Sequence, residues 1–99
     1  MAYNIFAETD KKVNWEKLHQ KIMPQKLVEY VPMPGMGVNG GDAMGLSIPS
    51  KNSGNSAWKE LKSMIYVLEI QFQFTLYDMY YGARVDSVVL NKIKENLTT

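Results

Sequence analysis

The chain has 99 residues, of which 45% are hydrophobic and 21% are charged, and it contains no cysteine. This length supports one domain with one core, and this composition is typical of a globular protein rather than a disordered or fibrous one. The net charge of +1, without a long run of like charges, argues against nucleic acid as a partner, and the missing cysteines exclude disulfides, thiol nucleophiles and cysteine-bound metals.

The first predicted elements are a strand and a helix. Residues 2–7 (AYNIFA) predict a strand, and the polar run ETDKK that follows predicts a turn. Asn14 is a good N-cap for the helix after this turn. The apolar residues of that helix recur at helical spacing, at Trp15, Leu18 and Ile22. We expect Pro24 to end it.

The next predicted elements are the two strands of a hairpin. Residues 27–31 (LVEYV) and 43–48 (AMGLSI) have strand composition, and the glycine-rich stretch between them contains no helical segment. A hairpin with a long loop is therefore favoured over a helical crossover. Residues 49–56 (PSKNSGNS) predict turns, and Asn55 or Ser56 is the expected N-cap of the helix that follows.

Two periodicities compete between residues 57 and 81, where the chain has no glycine or proline. Apolar residues spaced by three and four predict one long helix, which Gly82 would end as a C-cap. Strict alternation in residues 70–77 (IQFQFTLY) predicts instead a half-buried strand. The sequence leaves both interpretations open.

The last predicted element is a helix capped by Asp86. Its apolar positions form a stripe at Val89, Leu90, Ile93 and Leu97. The fold class is therefore α+β, with a small antiparallel sheet of three or four strands covered by helices. If residues 70–77 form a strand, the order of elements is a ferredoxin-like βαββαβ pattern with an added C-terminal helix.

The glycine-rich loop is the first candidate binding site, because Gly35, Gly37 and Gly40 match the GxGxxG spacing of phosphate-binding loops. In a dinucleotide-binding fold this motif opens a helix, and here Gly45 and Pro49 follow too soon for that. The loop is therefore either a turn-rich connection or a binding loop for a nucleotide-like or other anionic ligand. Its candidate ligand-binding residues are Gly35, Met36, Gly37, Asn39, Gly40 and Gly41.

The predicted helix start after residue 54 is the second part of this ligand-binding hypothesis. Lys51, Ser53 and Ser56 precede or begin that helix, and helix N-termini favour anions. Simple capping of the helix is the competing interpretation.

A tyrosine-rich segment is the candidate partner-binding surface. Tyrosine and arginine are the residue types of interface hot spots. The candidate residues are Tyr77, Asp78, Tyr80, Tyr81 and Arg84. Tyrosines at the edge of a small core are the competing interpretation.

No catalytic, metal-binding or cofactor-binding set stands out. His19 is the only histidine and has no partner signalled by spacing, so we expect an ordinary surface residue. The favoured function is a small non-catalytic protein that binds and inhibits a macromolecular partner, as inhibitor and immunity-like proteins of bacteria and phages do. Binding of a small anionic molecule is the alternative, and a homodimer is compatible with both.

The sequence also predicts where the protein works. No basic leader followed by an apolar run opens it, and its longest apolar-rich stretch, residues 64–76, is interrupted by glutamate and glutamine. Such a stretch is too short and too polar to span a bilayer. We therefore expect a cytoplasmic protein without a membrane partner.

Overall fold

The structure, a computed structural model, describes residues 2–22 and 26–98. Within them, five antiparallel strands form one sheet. The strands are β1 (Ala2–Glu8), β2 (Glu29–Met33), β3 (Ala43–Pro49), β4 (Thr75–Asp78) and β5 (Ala83–Arg84). The α-helices are α1 (Trp15–Ile22), α2 (Asn55–Tyr66) and α3 (Ser87–Thr98). The predicted α+β class is confirmed, and no helix in these residues is long and apolar enough to cross a membrane.

The strands lie in the order β2-β3-β1-β4-β5, so β1 is the middle strand of the sheet. The β2–β3 hairpin is confirmed, with β2 and β3 paired in antiparallel register. The prediction of three or four strands missed β5. That strand has only two residues, which is too short for any alternation of apolar and polar residues to mark it.

The core lies between one face of the sheet and the helices. Alternate residues of the central strands are buried, as Ile5 and Ala7 are in β1 and Leu46 and Ile48 are in β3. These side chains share one apolar cluster with the buried faces of all three helices. The residues between them in each strand point away from the helices, so the second face of the sheet is open.

Two of the predicted helix caps are confirmed. The Lys17 N–H donates to Asn14 Oδ1 at 3.1 Å at the start of α1, and the Val89 N–H donates to Asp86 Oδ1 at 2.9 Å at the start of α3. Both bonds are local, which is why a sequence pattern identifies them. The predicted stop at Pro24 lies outside the described residues.

The start of α2 differs from the prediction of an Asn55 or Ser56 cap. The N-cap is Gly54, whose φ of +132° favours glycine, and no side chain of the described residues caps this helix. Asn55 is already the first helical residue. The backbone turn at Gly54, rather than a polar side chain, therefore sets where α2 begins.

The segment from 57 to 81 contains both of the competing structures. α2 continues into a π-helical turn, Val67–Gln71, and the chain then reverses through Gln73, which has a φ of +54°. Strand β4 follows at Thr75. The single long helix and the strand beginning at residue 70 are both wrong, and Gly82 lies in the β4–β5 turn with a φ of +66° instead of ending a helix.

Strand β2 begins two residues later than predicted because a side chain of α2 hydrogen-bonds to the backbone N–H groups just before it. Glu60 on α2 accepts hydrogen bonds at Oε1 from the N–H groups of Lys26, Leu27 and Val28, at 2.8, 3.0 and 3.2 Å. These amides are thereby withheld from the sheet. The carboxylate also ties the start of β2 to α2.

Candidate functional site

The glycine-rich loop wraps around a carboxylate of its own chain. Asp42, which is 3% exposed, accepts hydrogen bonds from the Val13 N–H at 2.7 Å and the Gly35 N–H at 2.8 Å. The Lys12 ammonium lies 3.8 Å from the same carboxylate. The loop thus already surrounds an anion, which belongs to the protein.

The environment of Asp42 favours its charged form. The backbone donors at Val13 and Gly35 hold the pKa of this carboxyl below its usual value, with a smaller contribution from Lys12 and against the effect of burial. Asp42 is therefore ionised at neutral pH and fixes the position of the loop.

Four further amides of the loop are also engaged within the chain. These bonds run from Met36 to Met33, from Gly37 to Gly41, from Val38 to Thr9 and from Gly41 to Val38, at 3.2, 3.0, 3.1 and 2.8 Å. A phosphate-binding loop needs its amides pointing at the ligand. The engaged amides give this loop a structural role and lend no support to an anion site there.

Two glycines are required because the loop packs against the segment that follows β1. A Cβ atom at Gly37 would lie 2.2 Å from the carbonyl oxygen of Asp42, and one at Gly41 would lie 2.3 Å from that of Thr9. Gly35 and Gly40 meet no such contact but have φ values of +75° and +80°. Close backbone approach and turn geometry therefore account for the glycine content. Met36 and Asn39 are exposed on this loop.

The second group of candidate ligand residues lies at the other end of β3. Lys51, Ser53 and Ser56 follow Pro49, and the Ser53 hydroxyl donates to the Ser50 carbonyl oxygen at 2.9 Å. Seven strand residues separate this group from the glycine loop, a distance of about 20 Å. The two groups therefore do not form one site.

The five candidate partner residues fall into three places. Tyr77 and Arg84 are paired across β4 and β5 and lie on the open face. Asp78 is fully buried on the helix side of the sheet. Tyr80 and Tyr81 lie in the β4–β5 turn, where they are 69% and 39% exposed.

Tyr80 and Tyr81 join Tyr3 in a compact group that we call the tyrosine cluster. Tyr3 and Tyr80 are stacked with ring centroids 6.2 Å apart, and Tyr80 meets Tyr81 edge to face at 4.9 Å. Helix α3 supports the cluster. The Asn96 amide donates to the Tyr81 hydroxyl at 2.7 Å, and Lys92 Nζ lies 5.2 Å from the centre of the Tyr81 ring.

Buried Asp78 anchors the tyrosine cluster from below. Its carboxylate accepts a hydrogen bond from the Tyr3 hydroxyl and another from the Tyr80 N–H at 2.8 Å. Burial, followed by the hydrogen bond and charge of Asp78, raises the pKa of Tyr3 well above its usual value. Tyr3 therefore stays protonated and holds the strand to the turn.

A cavity of about 210 Å³ lies beside the tyrosine cluster. It is lined by Ala2, Tyr3, Ile48, Ser50, Ser53, Tyr80, Asn96 and Leu97. Ser53, from the ligand hypothesis, and Tyr80, from the partner hypothesis, thus share one cavity. Among the residues that the structure describes, no charged side chain lines it, so the cavity suits a neutral group with an apolar part.

The open face of the sheet is the second exposed feature. It carries Asn4, Phe6, Glu8, Glu29, Val31, Met33, Gly45, Ser47, Thr75, Tyr77 and Arg84. Gly45 lies between Phe6 and Val31 and has no side chain, which leaves a groove of about 360 Å³. Val31 beside this groove is 60% exposed, so apolar surface remains uncovered.

Sequence reasoning missed Tyr3, Asp42 and Gly45 as important residues. Tyr3 is 75 residues from Asp78, and Asp42 is 29 residues from Val13, so no local spacing relates these pairs. Gly45 breaks the apolar composition of β3, and that is the one signal that could have indicated a groove. His19 is exposed, as predicted, and hydrogen-bonds to the Tyr30 hydroxyl.

Comparison of the chain with models of protein families, with curated proteins and with solved structures finds no match. Across residues 2–22 and 26–98, no three histidine, aspartate or glutamate side chains are grouped as metal ligands. The features that carry the functional argument are therefore the tyrosine cluster with its cavity and the open face.

Proposed function

We propose that the protein is a small non-catalytic interaction protein that binds a protein partner through the tyrosine cluster, and that it inhibits that partner in the manner of inhibitor or immunity-like proteins. The observation that carries this proposal is the rigid support of an exposed ring. Tyr80 is 69% exposed, yet its ring stacks on Tyr3 and its N–H is held by buried Asp78.

Rigid exposed aromatic rings are what binding hot spots require. A tyrosine that is already fixed loses little conformational entropy on binding, so more of the contact energy appears as affinity. The cavity beside Tyr80 can accept one side chain of the partner, as hot-spot pockets do. Lys92 next to Tyr81 supplies a positive charge at the rim.

The proposal extends to the fold and the location. In the sheet, β3 lies between β1 and β2, and β1 lies between β3 and β4. This order supports a ferredoxin-like βαββαβ unit to which β5 and α3 are added. The proposal includes the cytoplasmic location that we expect from the sequence.

The test compares proteins retained from a native cell extract by the wild-type chain, by Tyr80→Ala and by Tyr66→Ala. Tyr66 on α2 is 62% exposed and lies outside the cluster, which makes it a matched control. We expect a partner that the wild type and Tyr66→Ala retain equally, with at least a tenfold weaker affinity for Tyr80→Ala. Equal binding by all three variants would overturn the role of the cluster.

Small-molecule binding remains a second candidate because Ser53, Tyr80 and Asn96 line one cavity. Its ligand would be a small neutral molecule rather than the anion expected from the sequence. Native mass spectrometry of the gently purified protein tests it. An added mass that is lost in Asn96→Leu supports this candidate, and a bare chain mass favours the protein partner.

A further inference from the structure

The open face carries one continuous row of residues across all five strands. Strand pairing aligns Val31 with Gly45, Gly45 with Phe6, Phe6 with Tyr77, and Tyr77 with Arg84. Phe6 belongs to β1, the middle strand. The gap at Gly45 therefore lies one strand to one side of Phe6, and the Tyr77 ring lies one strand to the other side.

We propose that a second copy of this chain covers the open face, with the two sheets packed face to face about a twofold axis parallel to β1. This rotation reverses the strand order and keeps the level of each residue along the strands. Tyr77 of the second copy then lies over Gly45, and the symmetry repeats this contact. Phe6 meets Phe6 of the second copy at the axis.

The groove at Gly45 is shaped to receive that tyrosine ring. It has a volume of about 360 Å³ and an apolar lining that includes Phe6, Val31, Met33 and Met79. Tyr77 itself is half-buried in the single chain, so its ring still has surface to bury. Sheets that pack face to face interdigitate their side chains in this way.

Of the charged residues Glu8, Glu29 and Arg84 on the open face, Glu29 and Arg84 are complementary under the same rotation, whereas Glu8 of β1 faces Glu8 of the second copy near the axis. Glu29 lies on the edge strand β2, and Arg84 lies on the opposite edge strand β5. The rotation places Arg84 of the second copy at the level of Val31, and Glu29 is two residues from Val31 on the same face. The symmetry forms this ion pair twice, once at each edge of the sheet.

The size of the face is sufficient for a dimer. Strand spacing and rise give a face of roughly 20 Å by 20 Å, and two such faces bury on the order of 1,000 Å² of accessible surface or more. The edges of the sheet are poor alternatives. Pro32 lies in edge strand β2, and β5 has only two residues, which disfavours strand addition at either edge.

The test measures the mass of the chain in solution by sedimentation and light scattering over a dilution series from about 1 μM to 1 mM. We expect twice the single-chain mass of 11.3 kDa at the upper end. Arg84→Glu and Glu29→Arg are each expected to weaken the dimer at least tenfold. The double variant exchanges the two charges and is expected to recover most of the wild-type affinity.

A third variant, Gly45→Leu, fills the groove and is expected to be a monomer. Its new Cβ lies 3.2 Å from Met33 Cε, the mobile end of a side chain, and circular dichroism checks that the variant folds. If the wild-type chain has the mass of a monomer at every concentration of the dilution series, the proposal is overturned. A dimer that neither Gly45→Leu nor the charge exchange affects overturns it as well, because that dimer would use another surface.

The proposed dimer and the proposed partner surface can be refuted independently of each other. The tyrosine cluster packs against α3, on the side of the sheet away from the open face. Tyr80→Ala is therefore expected to leave the dimer mass unchanged, and Gly45→Leu is expected to keep partner binding by each single chain.

Discussion

At the scale of single residues, the four loop glycines have different reasons to be glycine. A Cβ at Gly37 or Gly41 meets backbone oxygen at 2.2 or 2.3 Å, and no side-chain rotation relieves such a contact. We expect Gly37→Ala and Gly41→Ala to lower the free energy of unfolding by more than about 2 kcal/mol. A Cβ at Gly40 would lie in open space, so we expect Gly40→Ala to lower the free energy of unfolding by only about 1 kcal/mol, through the positive φ alone.

Urea unfolding followed by tryptophan fluorescence checks this order of effects. A binding role for the glycines would predict three stable variants that differ only in ligand affinity. Equal, small losses of stability at all three positions would contradict the packing explanation.

Asp42 makes the stability of the loop depend on pH. Its pKa is lower in the folded chain than the usual value of 3.8. Its contribution is therefore present above about pH 4 and is lost as the pH falls through the folded pKa. We expect Asp42→Asn to be less stable than the wild type at about pH 7, with a smaller difference at about pH 3.

The control for Asp42 is Asp10→Asn on the neighbouring turn. Asp10 is 60% exposed and makes a surface ion pair with Lys11. Such pairs contribute little, so this variant is expected to follow the wild type in urea unfolding at both pH values. A difference between wild type and Asp42→Asn that does not change with pH would contradict the charge-based explanation.

At the scale of elements, the sequence predicted what local bonds determine. The caps at Asn14 and Asp86 act within three residues, and the β2–β3 hairpin follows from neighbouring segments. Sequence reasoning failed where distant residues decide. The start of β2 depends on Glu60, which lies more than thirty residues away in the sequence. Residues 57–81 form a helix first and a strand last, with the π-helical turn Val67–Gln71 between them, so each of the two competing periodicities describes only one part of this segment.

Glu60 gives this dependence a direct test. Glu60→Ala removes the acceptor of three backbone N–H groups, and we expect a loss of about 1–3 kcal/mol in the free energy of unfolding. Hydrogen exchange of the amides at Lys26, Leu27 and Val28 is expected to accelerate selectively. Glu69→Ala, at an exposed position in the π-helical turn, serves as the control. Unchanged exchange at the three amides would show that the carboxylate does not hold them.

At the scale of the whole molecule, the candidate site combines residues from both ends of the chain. The tyrosine cluster joins Tyr3 of β1 to Tyr80 and Tyr81 of the last turn, with Asn96 of α3 behind them. The sequence indicated two of these tyrosines from their composition alone. It could not indicate Tyr3, because only the pairing of β1 with β4 brings the first strand beside that turn.

The hydrogen bond from the Tyr3 hydroxyl to Asp78 therefore connects β1 to β4 across 75 residues of sequence. Tyr3→Phe keeps the ring that stacks on Tyr80 but removes the hydroxyl that donates to the fully buried carboxylate of Asp78. We therefore expect the free energy of unfolding to fall by about 1–3 kcal/mol at neutral pH. The pKa of Tyr3 is raised by folding above its usual value of 10.0. The extra free energy of unfolding that the Tyr3 hydroxyl gives the wild type is thus fully present below about pH 10. It is lost as the pH rises further, because the Tyr3 hydroxyl loses its proton at a lower pH in the unfolded chain than in the folded one.

Urea unfolding of the wild type and Tyr3→Phe at about pH 7 and about pH 11 measures both effects. The difference in the free energy of unfolding is expected to narrow at the higher pH. Tyr66→Phe, at an exposed position, is expected to match the wild type under both conditions. A difference that stays constant with pH would mean that the Tyr3 hydroxyl stabilises the protein through packing. Asp78 would then hold the tyrosine cluster through the Tyr80 N–H, and partner binding would survive in Tyr3→Phe.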